Sequence, residues 1–215
     1  MQAARQSEGN MHAYQMQRKR REMSTSINRG VHRGRPVVLQ ATQVLTLSKP
    51  DNGISMKINI QAGVLRISST ATDKSEEITL AMTSKYEQGC FTHPQGFHLQ
   101  VEAVSETSFW IDYEQPGSGQ EKDFLTDWIL QLHWVRHPIK TEERLMRLFE
   151  LMCQRLGKRA VNGYLLEFLL PHARIAEMIG ATRSTVSRSI GSLKRSQAIE
   201  IDEIRKQLLI PIQTK

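Results

Sequence analysis

The spacing of apolar and polar residues along the chain changes near Gln120. Between residues 36 and 112, short runs in which apolar and polar residues alternate are separated by turn residues, as in half-buried antiparallel strands. The run ISMKINI at residues 54–60 is the clearest case, because every second side chain is apolar. About eight such runs predict a small β domain of the jelly-roll or sandwich type.

After Gln120 the apolar residues follow the period of an amphipathic helix. One broad apolar face would consist of Phe124, Leu125, Trp128, Leu132 and Val135. Pro138 ends or bends this helix, and a second apolar stripe predicts another helix with Thr141 as its N-cap and Gly157 at its end. The apolar face of the first helix either packs on the chain's own sheet or meets the same helix of a second subunit. We favour the seam between subunits, because of the motif that follows in the sequence.

The segment LLPHARIAEMIGATRSTVSRSIGSL, residues 169–193, has the spacing of a helix-turn-helix. Gly180 can adopt the left-handed conformation that ends the first helix, and Thr182 is a suitable N-cap for the second. The side chains expected to face the core are Ile175, Ala176, Ile179, Val186, Ile190 and Leu193. The structural alternative is a corner between two helices whose outer face is merely solvated.

The outer face of the second helix carries short hydroxyl side chains and arginines, with no acid among them. Its positions are Arg183, Ser184, Ser187, Arg188, Gly191 and Arg195. Such groups suit base edges in a major groove flanked by phosphates. Two short strands follow at residues 198–201 and 208–210, joined by a polar turn that contains Arg205 and Lys206, and this pattern predicts a wing.

The net charge of +7 is unevenly distributed along the chain. Residues 1–36 hold eight basic and two acidic residues, residues 37–157 hold eleven and fifteen, and residues 158–215 hold ten and five. Two basic ends favour a polyanionic partner. The first segment lacks apolar periodicity and is predicted to be a mobile arm. It serves as a solubilising tail or as a source of phosphate contacts, unless translation starts at Met11 or Met23.

Several classes of protein are excluded by what the sequence lacks. No stretch approaches about 20 consecutive apolar residues and the first residues hold no apolar signal core, so we expect a cytoplasmic protein. Cys90 and Cys153 are too few for a disulfide scaffold, an iron–sulfur site or a zinc knuckle. An enzyme built on the β domain lacks support, because we find no clustered His/Glu set, nucleophile elbow or Gly-rich phosphate loop. We predict no catalytic residue, no metal site and no cofactor.

Residues 37–215 resemble the CRP/FNR superfamily of bacterial transcription factors. The positions that carry the resemblance are Leu170, Ile175, Ala176, Gly180, Arg183, Thr185, Val186, Arg188 and Leu193. The resemblance implies an α+β fold with an N-terminal β-roll (jelly-roll, cupin-like), a long dimerisation helix and a C-terminal winged helix-turn-helix domain. The corresponding boundaries are a basic flexible arm at 1–36, a sensor-like β-roll at 37–119, the dimerisation helix at 120–138 and the DNA-binding domain at 139–215.

The resemblance also implies a homodimer that places two recognition helices in successive major grooves of a palindromic operator, about 34 Å apart. The expected partners are double-stranded DNA, a second copy of the chain, RNA polymerase and a regulatory protein, and no membrane is expected. The competing interpretation is a nucleoid-associated or adaptor protein that binds DNA weakly and acts mainly through protein partners.

The family's base-reading positions fall on Arg183, Ser184 and Arg188, and the arginines would contact guanine O6 and N7. Ser184 departs from the family, in which Glu is common at this position, so the family's consensus half-site does not transfer. Pro171 likewise stands where a phosphate-binding Thr is common. The other predicted DNA contacts are Thr185, Ser187, His172, Arg174, Lys194, Arg195 and Lys206.

The β domain lacks the phosphate cassette of the family's cyclic-nucleotide sensors, a Gly-Glu pair and an Arg followed by Ser or Thr. The chain passes through residues 92–96 directly to the next strand, so we do not expect cyclic-AMP binding. Ligation of haem or metal by Cys90, His93 and His98 is not predicted either, because loop histidines more often face solvent or form hydrogen bonds.

Overall fold

The computed structural model describes residues 35–50, 54–71, 76–114 and 123–212. The predicted basic arm lies outside these ranges except for its last two residues. None of the helices within the described ranges is long and apolar enough to cross a membrane.

Among the described residues, eight strands build the N-terminal β domain, as the alternating pattern predicts. They are β1 (Val37–Leu39), β2 (Val44–Leu47), β3 (Ser55–Ala62), β4 (Val64–Ala71), β5 (Glu77–Ser84), β6 (Cys90–Thr92), β7 (Phe97–Ala103) and β8 (Thr107–Glu114). The strands pair in two antiparallel four-stranded sheets, in the orders β1-β8-β3-β6 and β2-β7-β4-β5. Every second side chain of β3 is buried, which is the arrangement expected for a sheet with one face against a core.

Strand β5 departs from the predicted alternation. Ile78 is exposed, whereas the four consecutive residues 80–83 are all buried. The physical reason is a second layer on the outer face of this strand, because two helices of the C-terminal half pack against it. A strand that is covered on both faces loses the period of two.

In the part of the chain that the structure describes, four helices follow the β domain. They are α1 (Phe124–Arg136), α2 (Thr141–Arg155), α3 (His172–Ile179) and α4 (Arg183–Arg195). Asp123 caps α1, since its carboxylate accepts a hydrogen bond of 2.8 Å from the backbone N–H of Thr126. The prediction of Thr141 as the N-cap of α2 is wrong by one residue. Thr141 is already helical, and Lys140 occupies the cap position without a side-chain hydrogen bond.

The C-terminal domain contains a small antiparallel sheet besides its helices. Its strands are β9 (Lys158–Ala160), β10 (Gly163–Leu166), β11 (Glu200–Asp202) and β12 (Gln207–Pro211), in the order β11-β12-β10-β9. The predicted wing is confirmed as the hairpin of β11 and β12. Sequence reasoning missed the hairpin of β9 and β10, because strands of three and four residues are too short to show an alternating pattern.

The buried Arg155 links α2 to α1 and to the β domain. Arg155, near the end of α2, donates a hydrogen bond of 3.0 Å from Nε to the carboxylate of Glu87, which lies between β5 and β6. Its Nη2 lies 3.0 Å from Asp127 of α1, and its guanidinium stacks 4.2 Å from the ring of Trp128. Arg155, Glu87 and Trp128 are all buried. The second helix is thereby fixed to both the β domain and α1.

Candidate nucleic-acid interface

The turn between α3 and α4 forms as the sequence predicts. Gly180 has φ 64° and ψ 51°, the left-handed conformation that ends a helix. The backbone N–H of Ala181 then donates to the carbonyl of Ala176 at 2.9 Å and closes the turn. Thr182 caps α4, because its hydroxyl accepts a hydrogen bond of 3.2 Å from the N–H of Thr185.

The inward faces of α3 and α4 are buried against each other and against α2. All six predicted core positions of the helix-turn-helix are less than 9% exposed: Ile175, Ala176, Ile179, Val186, Ile190 and Leu193. Burial of this face fixes the rotation of α4, so its opposite face must point away from the protein.

The outward face of α4 is accessible along its whole length. Exposed side chains on α4 are Arg183, Ser184, Ser187, Arg188, Lys194 and Arg195, whereas Thr185 and Gly191 are half-buried. The helix contains no acidic residue. The hydroxyl of Thr182 lies 3.0 Å from that of Ser184 and 2.8 Å from that of Thr185, so the first turn of α4 presents a connected set of hydrogen-bonding groups. The result is a cationic, hydrogen-bonding surface on one helix face.

The turn of the wing adds two further cations. The carboxylate of Asp202 accepts hydrogen bonds from the N–H groups of Ile204 and Arg205, at 3.0 and 2.9 Å, which orders the turn. Lys206 has φ 52°, so it lies in the left-handed region. Arg205 and Lys206 are both exposed.

The two predicted contacts on α3 have different surroundings. His172, the first residue of the helix, is half-buried. Arg174 does not project freely into solvent, since its Nη1 lies 3.0 Å from Glu77 and its Nη2 lies 3.1 Å from Glu102, both in the β domain. Burial alone would raise the pKa of Glu77, but the neighbouring guanidinium groups of Arg66 and Arg174 lower it to about 2. Glu77 is therefore ionised at neutral pH.

The structure corrects the predicted subunit seam. Phe124, Leu125, Trp128, Leu132 and Val135 are each less than 7% exposed within a single chain, where they form part of the core. They pack on the chain's own β domain and helices, so they leave no surface for a second subunit. The apolar side chains of α1 that remain exposed are Ile129, Leu130 and Trp134, at 44%, 56% and 59%. Helix α1 thus has two apolar faces, and the sequence pattern was dominated by the larger, buried one.

The cysteine and histidine residues of the β domain form no cluster of metal ligands. His93 is buried, and its Nδ1 lies 3.0 Å from the carbonyl of Pro94, whereas His98 is exposed and Cys90 is half-buried. Within the described ranges, no group of three or more His, Cys, Asp or Glu side chains could hold a metal ion. Cys153 is a buried residue of α2, where burial and the neighbouring Glu150 raise the pKa of its thiol to about 12.

Residues 143–212, which contain the helix-turn-helix and the wing, match the model of the Crp-like helix-turn-helix domain family. A curated relative is the global nitrogen regulator of Synechococcus elongatus, which is 35% identical over 69 residues. This match covers 32% of this chain and 31% of the relative, so it spans about a third of either protein.

Two solved structures resemble the chain over most of its length. FixK2 from Bradyrhizobium japonicum superposes with a TM-score of 0.60 at 14% identity, covering 81% of this chain and 91% of that one. A transcriptional regulator of the CRP/FNR family from Thermus thermophilus superposes with a TM-score of 0.55 at 17% identity, covering 82% and 93%. At these identities the likeness establishes the fold. The predicted α+β architecture of a β-roll followed by a winged helix-turn-helix is confirmed.

Proposed function

We infer that this protein, a CRP/FNR-family chain whose residues 143–212 are a Crp-like helix-turn-helix domain, is a sequence-specific DNA-binding regulator of transcription. The observation that carries this inference is the outer face of α4. It is exposed apart from the half-buried Thr185 and Gly191, it holds guanidinium and hydroxyl groups without any acid, and the buried inner face fixes its direction. Groups of this kind recognise base edges and phosphates of a duplex.

Base reading is assigned to Arg183, Ser184 and Arg188. The two arginines are five residues apart, which is about 7.5 Å along the helix axis. Each guanidinium can donate two hydrogen bonds to O6 and N7 of a guanine, while the hydroxyl of Ser184 can donate or accept. We therefore expect a half-site with two specified guanines and a more permissive position opposite Ser184.

Phosphate contacts are assigned to cations on both sides of the reading face. Lys194 and Arg195 lie in the last turn of α4, and Arg205 and Lys206 lie in the turn of the wing. Such contacts carry no sequence information but hold the helix in register in the groove. The half-buried His172 at the start of α3 is a further candidate, since the first helix of the motif crosses the DNA backbone.

A homodimer is proposed to present two such helices to a palindromic operator, with the exposed face of α1 as the seam. Ile129, Leu130 and Trp134 form an apolar strip on a helix whose other face is already buried. Apolar and aromatic side chains of this kind are enriched in the cores of subunit interfaces.

In the cell, such a regulator works in the cytoplasm with RNA polymerase as its partner. Whether it activates or represses depends on the position of the operator at each promoter.

The test is selection of bound sequences from a pool of random duplexes by the full-length protein. A regulator is expected to enrich a palindrome with half-sites about one helical turn apart, and to prefer it to random DNA by roughly 10³-fold or more. A pool that returns unenriched would support the competing interpretation of a weakly specific nucleoid-associated or adaptor protein.

Single substitutions then separate base contacts from phosphate contacts. On the selected operator, R183A and R188A are each expected to cost about 1–3 kcal/mol of binding free energy and to relax base choice at one position. R159A is the matched control, because Arg159 is an exposed arginine of the same domain that lies on β9. An equal loss on operator and random DNA would reassign Arg183 or Arg188 to the phosphates.

A further inference from the structure

Four charged side chains form a cluster where the β domain meets the first helix of the helix-turn-helix. Arg66 of β4 is 1% exposed and donates from Nε to Glu102 of β7 at 2.8 Å, while its Nη2 bonds to Glu77 of β5. Arg174 of α3 closes the cluster by pairing with both carboxylates, at 3.0 and 3.1 Å. Each of the two glutamates is thus shared between one arginine of the β domain and one arginine of the DNA-binding domain.

The two arginines differ in their freedom to change partner. Arg66 lies wholly inside the β domain, where it also donates to the hydroxyl of Thr79 at 3.0 Å, so it has no access to other groups. The side chain of Arg174 is 30% exposed and belongs to the first helix of the motif. Of the two, only Arg174 can turn outward.

Separate contacts hold α3 in place, so Arg174 can turn without the helix moving. The carboxylate of Glu177 accepts hydrogen bonds from the N–H and the hydroxyl of Thr79, at 2.9 and 2.6 Å. Arg136 of α1 donates to the carbonyls of Glu177 and Met178, each at 2.8 Å. These bonds seat the helix independently of the Arg174 pairs.

A carboxylate and a phosphate compete for the same face of a guanidinium. Both accept two parallel N–H donors from arginine in the same fork geometry. In a helix-turn-helix the first helix crosses the DNA backbone, so a cation on its first turn is within the zone of the phosphates. In the present structure that cation is neutralised by two glutamates of the chain itself.

We propose that Glu77 and Glu102 are affinity-determining residues that hold Arg174 as internal substitutes for a DNA phosphate, so that DNA binding requires Arg174 to exchange these carboxylates for the duplex. The proposal rests on the DNA-binding function inferred above. It assigns to two acidic residues of the β domain a direct effect on DNA affinity, although neither lies on the winged helix-turn-helix.

The experiment is a double-mutant cycle on the selected operator, with dissociation constants measured over a series of salt concentrations. E102Q and E77Q each leave one carboxylate for both arginines and preserve the shape of the side chain. Each is expected to tighten binding roughly three- to tenfold, the size of one added phosphate contact, and to steepen the plot of log affinity against log salt by about 0.9. In the R174Q background, neither substitution should change the affinity.

The matched control is E106Q, which removes the same charge from an exposed glutamate of the β domain outside the cluster. E106Q should leave the salt slope unchanged, since it releases no cation. Thermal melts of E77Q and E102Q check folding, and because the two variants are independent, either one alone is sufficient for the test.

Three results would overturn the proposal. These are unchanged or weaker binding by folded E77Q and E102Q, the same gain in the R174Q background, and the same gain from E106Q. Failure of the DNA-binding function is distinguishable from these. If the wild-type protein binds DNA without sequence preference, the double-mutant cycle can still be measured on any duplex. A protein that binds no duplex contradicts both the proposed function and this inference.

Discussion

At the scale of single residues, two glycines of the helix-turn-helix have opposite conformational requirements. Gly180 occupies the left-handed region, which L-residues with a Cβ adopt only at a cost, although an added Cβ would meet only an ordinary contact of 3.9 Å with Arg144. Gly191 lies in the middle of α4 with ordinary helical geometry, and its added Cβ would make a normal contact of 3.5 Å with Arg195. The cost at Gly180 is therefore conformational rather than steric.

The same substitution is expected to have opposite effects at the two sites. G180A should lower the free energy of unfolding by about 1 kcal/mol, because alanine resists the left-handed conformation. G191A should raise it by up to about 1 kcal/mol, because alanine favours the helix. Urea denaturation of both variants is the measurement. A loss of stability in both would mean that packing, not backbone conformation, decides these positions.

Local residue chemistry was predictable from the sequence, and long-range partners were not. Gly180 and Thr182 were identified correctly because a cap and a turn depend on residues within a few positions. The pairing of Arg174 with Glu77 joins positions 97 apart in the chain. No periodic pattern reports such a contact, so Arg174 was predicted only as a DNA contact.

At the scale of elements, α2 is held by one buried cation that three segments share. Truncating Arg155 would leave Glu87 buried without this partner and would remove the group that stacks on Trp128. Removing one partner of a buried ion pair is among the most destabilising changes in a protein.

R155A is expected to destabilise the protein by about 3–5 kcal/mol. The matched control is K158A, since Lys158 forms an exposed pair of 2.6 Å with Glu167 and exposed pairs contribute about 0–1 kcal/mol. Chemical denaturation of both variants gives the comparison. A similar small loss for R155A and K158A would show that Glu87 finds other partners once Arg155 is removed.

Sequence patterns missed two elements and misjudged the burial of two others. Strand β5 was predicted as an element, but its burial departs from a period of two because helices cover its outer face, whereas β9 and β10 were missed because they are too short to show a period. Helix α1 was predicted correctly as an element, but its buried face was assigned to a partner subunit. Periodicity reveals that a face is apolar, and it does not reveal what covers that face.

At the scale of the whole molecule, dimer formation should depend on the exposed face of α1. W134D places a charge in the proposed seam while leaving the core untouched, because Trp134 is 59% exposed. The variant is expected to be monomeric by analytical ultracentrifugation and to lose binding to the palindrome while keeping its fold. Its weaker binding follows because two linked half-sites are occupied together only by a dimer.

The matched control is Q131D, at an exposed position of the same helix outside the apolar strip of Ile129, Leu130 and Trp134. It should remain dimeric with unchanged operator binding. If W134D remains dimeric, as Q131D is expected to, the seam must lie on another element.

The small C-terminal sheet has a mechanical consequence. Strand β12 pairs with β11 on one side and with β10 on the other. The wing is therefore hydrogen-bonded to the rest of the sheet along β12 and does not project as a free hairpin. Gly163 brings the backbones so close that an added Cβ would lie 2.1 Å from the carbonyl oxygen of Ile210. The position of the wing is therefore fixed relative to the hairpin of β9 and β10. On the proposed DNA-binding function, a duplex would have to adapt to this fixed wing, so we expect flexible base steps beside the half-site to be favoured although no side chain touches them.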